Sequence, residues 1–110
     1  MKAAQGKLVP GKLKLNSKEK YTRLFSAKYG SALSLNSGCV ILSKGKDVGG
    51  HDTKTREEVI IILEGSGELL LRNKRKIVFK KGSVLYVPPD TMHNVKNTGV
   101  KGLKYVFVTA

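Results

Sequence analysis

Short runs of strand-forming residues, separated by turn signals, extend over most of this chain of 110 residues. The clearest run, residues 59–63, is continuously apolar and rich in β-branched side chains, and Gly65 and Gly67 follow it closely. A run of this kind, bounded by turn residues, indicates a strand that is buried on both faces or nearly so. Other runs of strand type occupy residues 21–25, 31–35, 39–43, 68–72, 77–79, 84–87, 92–97 and 103–108.

The fold class follows from this pattern, because no stretch longer than a turn or two has a helical period. About ten short strands with frequent turns predict an all-β fold, either an antiparallel barrel or a double-sheet jelly roll. We assign the barrel to residues 21–110, as a single domain. Residues 1–20, which contain six lysines and are interrupted by Gly6, Pro10 and Gly11, are expected to form a basic, partly flexible N-terminal extension.

The chain is strongly basic, with 21 Lys and Arg against 8 Asp and Glu and a net charge of +13. These residues are spread along the sequence, with one modest cluster at residues 74–76 and 80–81. Nucleic-acid-binding surfaces usually interleave such charge with aromatic side chains or carry it on a helix that fits a groove, and neither pattern is evident. Nucleic acid is therefore not the expected partner. A solvated surface is the favoured interpretation, and steering of an anionic ligand is the second.

The single cysteine, Cys39, lies in an apolar run, which favours a buried structural thiol over a reactive or metal-binding one. Residues 1–20 lack the apolar core of a signal peptide. No apolar window approaches the roughly 20 residues that a membrane span requires. We therefore expect a cytoplasmic protein with no membrane partner.

Both histidines of the chain lie in segments of strand type. His51 and Thr53 are two residues apart, so on a strand their side chains share a face, while Asp52 points to the other face. Glu58 opens the apolar run and His93 lies on a later strand. Two imidazoles and a carboxylate suit a divalent metal ion. The alternative is that these groups are core residues that hydrogen-bond to one another or to water.

The first of these segments, Gly45-x5-His51-x-Thr53-x4-Glu58-x6-Gly65, resembles the first motif of the cupin family. In that motif a glycine precedes His-x-His, a glutamate follows, and a second glycine closes the segment. Thr53 stands where the family has its second histidine.

The later segment, Gly82-x5-Pro88-x-Asp90-x2-His93-x3-Asn97, resembles the second cupin motif, with Asp90 at a position usually held by glycine. Two motifs in the right order and at a suitable separation make the resemblance specific. It implies a cupin-type double-stranded β-helix, which is a jelly-roll barrel with its pocket at one mouth. It also implies that the chain forms a homodimer.

By this resemblance His51, Glu58 and His93 match metal ligands of the family. The implied cofactor is a divalent metal ion, either Fe, Mn, Ni or Zn, held by two imidazoles and one carboxylate. Thr53, Tyr86 and Asn97 are the candidate pocket-lining residues, with a role in capping strands as the alternative for Tyr86 and Asn97.

The function implied by the resemblance is that of a small metal-binding cupin that binds or acts on a small anionic molecule, such as a sugar phosphate or a carboxylate. If it is an enzyme, the implied reaction is that of a metal-dependent isomerase or epimerase, or of a dioxygenase. No separate catalytic acid or base stands out in the sequence. The alternative is a metal-free or non-catalytic barrel that binds or senses a ligand.

Overall fold

The computed structural model describes residues 8–110, and within them the chain forms nine β-strands and two single-turn 3-10 helices. The strands are β1 (Tyr21–Ser26), β2 (Asn36–Leu42), β3 (His51–Asp52), β4 (Glu58–Glu64), β5 (Ser66–Leu71), β6 (Lys76–Lys80), β7 (Val84–Val87), β8 (Met92–Lys96) and β9 (Leu103–Thr109). The 3-10 turns are Ala27–Tyr29 and Arg72–Lys74. The prediction of an all-β fold is confirmed.

The strands form two sheets in which every pair is antiparallel. One sheet has five strands in the order β1-β2-β9-β4-β7, and the other has four in the order β3-β8-β5-β6. Their inner faces enclose one apolar core, as in a jelly-roll barrel. Its buried members are Val40, Leu42, Ile60, Ile62, Leu69, Phe79, Leu85, Val87, Val95, Leu103 and Tyr105.

Strand β4 shows how the sheets create an inside and an outside. Ile60 and Ile62 are each 1% exposed, whereas Val59 and Ile61 are each 37% exposed. The expectation that residues 59–63 are buried on both faces is therefore wrong. Only one face of the five-stranded sheet packs against the other sheet, so alternate side chains of β4 point outward. Each inward isoleucine contributes on the order of 1.5–3 kcal/mol through burial.

Residues 31–35, predicted as a strand, form bends instead. The Ala27–Tyr29 turn ends at Gly30, which has a left-handed φ of 83° and reverses the chain. Local hydrogen bonds then close the loop, since Ala27 N–H donates to the Leu35 carbonyl at 2.8 Å and Ser26 N–H donates to Ser31 Oγ at 2.8 Å. The loop satisfies its backbone locally and has no need of a sheet partner.

Gly65 makes the connection from β4 in one sheet to β5 in the other. Its φ is 88°, and a Cβ at this position would lie 2.6 Å from the carbonyl oxygen of Gly102. The position therefore requires glycine both for its backbone conformation and for lack of space. Because this crossover fixes the relative placement of the two sheets, it also determines which side chains of one sheet face those of the other inside the barrel.

The register of the strands defines two ends of the five-stranded sheet. At the Glu58 end, Glu58 lies beside both Val87 of β7 and Thr109 of β9. At the opposite end, which we call the Glu64 end, Glu64 lies beside Lys104. The seven residues of β4 separate these ends by about 20 Å at the usual rise per residue.

The N-terminal part of the described chain, residues 8–20, contains no strand and leads into β1 at Tyr21. One of its contacts with the barrel is a hydrogen bond of 2.6 Å from Lys104 Nζ to the Leu15 carbonyl.

Cys39 is 5% exposed, and burial raises the pKa of its thiol despite the nearby charge of Lys104. Within residues 8–110, no helix is long and apolar enough to cross a membrane.

Candidate metal centre

A pair of facing residues on two short strands brings the imidazoles together. In the β3–β8 pairing His51 lies directly opposite His93. Side chains at facing positions of an antiparallel pair project to the same side of the sheet, so the rings are neighbours, with centroids 4.2 Å apart and planes tilted by 57°. His93 is 2% exposed, while His51 lies at the solvent-facing mouth of the barrel.

The carboxylate comes from the other sheet. Glu58 is the first residue of β4, is 6% exposed, and places its Oε1 2.8 Å from His93 Nε2. One potential ligand atom from each of His51, Glu58 and His93 lies within 4.8 Å of the others. Three donors that are far apart in sequence thus converge across the interior of the barrel.

Backbone carbonyls orient both imidazoles in the same way. Nδ1 of His93 lies 2.9 Å from the Thr91 carbonyl oxygen, and Nδ1 of His51 lies 3.1 Å from the Gly49 carbonyl oxygen. A carbonyl can only accept, so each Nδ1 must carry the proton, and this leaves Nε2 as the nitrogen available to bind a metal. Histidine ligands are commonly held in this way by a carbonyl acting on the other ring nitrogen.

The contact between His93 and Glu58 indicates whether a cation would be accommodated at this site. With Nδ1 donating to Thr91, a neutral His93 would direct the lone pair of Nε2 at a carboxylate oxygen of Glu58. That contact is favourable only with a positive charge between the two atoms, either a proton or a metal ion. Burial lowers the pKa of His93, but the hydrogen bond to Glu58, the Thr91 carbonyl and the negative charges of Glu58 and Asp52 outweigh it and raise that pKa above its usual value. The donor set therefore fits a divalent cation, which would replace that proton.

Thr53 occupies the position where the cupin motif has its second histidine, and its hydroxyl makes two hydrogen bonds to the loop before β8. Thr53 Oγ1 donates to the Pro88 carbonyl at 2.7 Å and accepts from Thr91 N–H at 3.0 Å. The side chain is 9% exposed and lies against the loop that leads into β8. Thr53 is therefore not placed as a fourth ligand. It fixes the Thr91 peptide, whose carbonyl in turn orients His93.

We expect Thr53→Val to lower the free energy of unfolding by about 1–3 kcal/mol, because the isosteric side chain leaves the Thr91 N–H and the Pro88 carbonyl without their partner. Metal stoichiometry should remain that of the wild type, since no ligand is lost. Urea unfolding of the metal-free proteins and elemental analysis of the loaded proteins measure the two effects. Loss of the metal with no change in stability would show instead that Thr53 is a ligand.

A cavity of about 440 Å³ opens beside these residues. Two basic side chains, Lys20 and Arg56, line it, and Arg56 is held by a hydrogen bond of 3.0 Å from its Nη1 to the Ser34 carbonyl. Burial, with the negative charge of Glu58, raises the pKa of Tyr105, so this phenol stays protonated and is available as a donor. The other lining residues are Tyr21, Val40, Val48, His51, Asp52, Thr53, Glu58, Phe107 and Thr109.

Two of the candidate pocket-lining residues lie elsewhere. Tyr86 is 55% exposed on the outer face of β7, and its hydroxyl donates to Glu57 Oε1 at 2.7 Å. It points outward because it alternates with the inward-facing Leu85 and Val87. Asn97 is 0% exposed and follows β8 at the end away from His93, where its side chain bonds to a turn. Neither residue lines the cavity beside the donors, whereas Thr53 does.

The lining residues that sequence reasoning missed include the inward side of the last strand. Tyr105, Phe107 and Thr109 alternate along β9 and all face the cavity. The alternation of residues 103–108 in the sequence indicated which of these side chains share a face. Only the pairing of β9 with β4 shows that this face lies beside Glu58. Arg56 lies two residues before Glu58, so it could have been found by extending the same face backwards.

The sequence model of the family described as "Cupin domain" matches residues 38–109, about two thirds of the chain. An uncharacterized protein of Methanocaldococcus jannaschii is 44% identical over 54 residues, which cover 49% of this chain and 42% of the relative. Glucose-6-phosphate isomerase of Pyrococcus abyssi is 42% identical over 53 residues, which cover 44% of this chain and 28% of that enzyme. The chain thus matches less than half the length of either relative.

Among solved structures, a cupin protein from Bacteroides fragilis superposes with a TM-score of 0.75 at 17% sequence identity. The superposition covers 94% of this chain and 84% of that chain. At such low identity the likeness shows a shared fold, and it leaves the chemistry to be argued from the site itself.

Proposed function

The chain belongs to the cupin domain family, and on that premise we propose that it binds a divalent metal ion through His51, Glu58 and His93 and binds or acts on a small anionic molecule there. The observation that carries this proposal is the convergence of the three donors: Nδ1 of both imidazoles is held by a backbone carbonyl, which leaves Nε2 for a cation, and Nε2 of His93 faces Glu58.

The anionic character of the ligand is supported by the charge around the cavity. Lys20 and Arg56 both line it, and Arg56 is anchored to the Ser34 carbonyl, which limits the entropy lost when its guanidinium binds an anion. A volume of about 440 Å³ suits a molecule of the size of a sugar phosphate or a small carboxylate. The relative from Pyrococcus abyssi is named for a sugar phosphate, which favours that class.

When bound, the metal would supply Lewis acidity toward an oxygen of the ligand. Residues of the chain itself bind and orient the ligand. Lys20 and Arg56 attract and orient the anionic group, and the protonated phenol of Tyr105 offers a hydrogen bond from the wall. The apolar side chains of Val40, Val48 and Phe107 exclude water from the remaining surface. An isomerase or epimerase is the reaction class that we propose first, and a dioxygenase second.

A second candidate is a barrel that binds its ligand without metal or without catalysis. The contact between His93 and Glu58 favours it, because an imidazolium and a carboxylate at 2.8 Å satisfy each other without any ion. Thr53 favours it as well, since its hydroxyl is engaged with the Pro88 carbonyl and the Thr91 N–H and does not replace the second histidine of the motif. In this case Lys20 and Arg56, which line the cavity, would still favour an anionic ligand.

The test begins with protein purified without chelator and without nickel affinity chromatography. We expect about one divalent metal ion per chain by mass spectrometry, because three donors suffice for a catalytic-type site. In a screen of sugar phosphates and small carboxylates by calorimetry, Arg56→Gln should weaken binding of the best ligand about tenfold while leaving the metal content unchanged.

Arg75→Gln is the matched control, because it removes the same charge at a residue outside this cavity. Equal losses in both variants would mean that only the overall charge matters. If no divalent metal binds under any loading condition while Arg56→Gln still weakens the anion, the metal-free candidate is correct.

The homodimer and the cytoplasmic location stay predictions. The outer face of the five-stranded sheet supports the homodimer, because its facing pairs Val59–Tyr86 and Ile61–Val84 expose apolar side chains to solvent.

A further inference from the structure

A second cavity, of about 550 Å³, lies at the Glu64 end of the barrel, on the far side from the candidate metal centre. We call it the basic cleft, because four lysines line it: Lys18, Lys81, Lys101 and Lys104. They come from four separate parts of the chain: the N-terminal segment, the turn between β6 and β7, the turn between β8 and β9, and β9 itself. We propose that the basic cleft binds a small anion that carries two or more phosphate groups.

The lysines of the cleft are not neutralised by the protein. Within residues 8–110, Lys76 with Glu68 is the one pair of a lysine and a carboxylate within 4.0 Å. Among residues 8–110, Glu64 is the only acidic residue that lines the cleft, and it faces Lys104 across the β4–β9 pair. Even so, Lys104 Nζ donates to the Leu15 carbonyl instead of pairing with Glu64. The cleft therefore carries an excess of positive charge that only an external anion could balance.

The backbone holds two of these lysines in fixed places. Asn97 Nδ2 donates to the carbonyl of Lys101 at 2.8 Å, which fixes the turn that carries this residue. Lys104 lies in the paired part of β9 and is tied to the N-terminal segment through Leu15. That contact also brings Lys18 to the cleft. The fold therefore brings the four residues together, while Lys18, Lys81 and Lys101 themselves are solvent-exposed.

The chemistry of the lining favours phosphate groups over nucleic acid. The lysines offer point charges with several donors each, which suit phosphate oxygens. In the described part of the chain no aromatic side chain lines the cleft, so a base would find no ring there to stack on. The remaining lining residues are Asn16, Ser17, Ile41, Glu64, Gly65, Gly102 and Leu103. With three charges in excess after Glu64 is counted, an anion such as tripolyphosphate matches the cleft better than a single phosphate.

The proposal is independent of the metal centre, and the experiment keeps the two apart. Inorganic tripolyphosphate is titrated into chelator-treated protein at low salt by calorimetry, and the amide signals are followed by NMR. We expect saturable binding, with the largest shifts at Ser17, Gly65 and Gly102. The same titration of His93→Ala should give the same affinity, because that substitution lies at the other end of the barrel.

Lys81→Gln combined with Lys101→Gln should weaken tripolyphosphate binding about tenfold or more, since each residue donates charge-assisted hydrogen bonds to the anion. The matched control is Lys28→Gln combined with Lys74→Gln, which removes the same charge from residues outside the cleft and should change the affinity less than about twofold, as expected of distant surface charges.

Equal weakening in both double variants, or shifts centred on Lys20 and Arg56, would overturn the proposal. So would a single-stranded oligonucleotide that binds the cleft more tightly than tripolyphosphate does.

Discussion

Replacing His93 with alanine is expected to abolish stoichiometric metal binding and to weaken metal affinity by about a hundredfold or more, since even the loss of a group that only orients a ligand can cost 10–100-fold. His93 is the buried imidazole of the site and contacts Glu58 directly. Its removal deletes one of three donors and leaves the buried carboxylate without its hydrogen-bond partner. Competition with a chromophoric chelator measures the affinity, and mass spectrometry measures the metal content.

Met92→Ala is a suitable control for this prediction, because Met92 neighbours His93 on β8 but points to the solvent-exposed side. It should bind metal as the wild type does. His93→Gln separates folding from binding, since an amide can still donate to Glu58 while being a poor ligand. A folded His93→Ala protein with unchanged metal affinity would contradict the assignment of this site.

Replacing Asn97 with alanine is expected to lower the free energy of unfolding by roughly 3 kcal/mol or more, because several buried groups lose their partner at once. Its Nδ2 donates to the carbonyls of Leu42 and Lys101 at 3.0 and 2.8 Å, and its Oδ1 accepts from Gly99 N–H at 3.0 Å. Urea unfolding measures the loss.

Asn94→Ala provides a matched comparison on the same stretch of chain. The Oδ1 atom of Asn94 is buried without a partner, and its Nδ2 makes only a long contact of 3.3 Å with Asp47. Its substitution should change stability by less than about 1 kcal/mol, or even increase it, because an unsatisfied buried oxygen is removed. Similar losses at both positions would mean that the turn is held by its backbone and not by the side chain of Asn97.

The sequence was sufficient to predict the fold, because alternation within a strand decides which residues share a face. The resemblance to the two cupin motifs singled out His51, Glu58 and His93, and the structure places them on β3, β4 and β8, with β4 in the other sheet. For Tyr86 and Asn97 the sequence left open whether they line the pocket or cap strands. Tyr86 points outward, because it alternates with the inward-facing Leu85 and Val87. Asn97 faces inward as His93 does, but it lies at the far end of the barrel, where it bonds to a turn.

What could not be predicted depends on contacts between distant segments. The lysines of the basic cleft look like scattered surface charge in the sequence, and only the β4–β9 register and the turn held by Asn97 bring them together. Lys20 and Arg56 likewise meet at one cavity only after the strands have paired. Tertiary pairing of this kind leaves no periodic signal in a single chain.

The hydrogen bonds of Thr53 have a consequence for any attempt to restore the fourth histidine. Its hydroxyl contacts the Thr91 peptide, and the carbonyl of Thr91 contacts His93. A change at residue 53 therefore alters the orientation of the His93 ring. Thr53→His on its own would release the loop at Pro88 before it could add a ligand. The effects of substitutions at these positions should therefore be non-additive. Threonine at this position is better regarded as one half of an epistatic pair than as a defect in a motif.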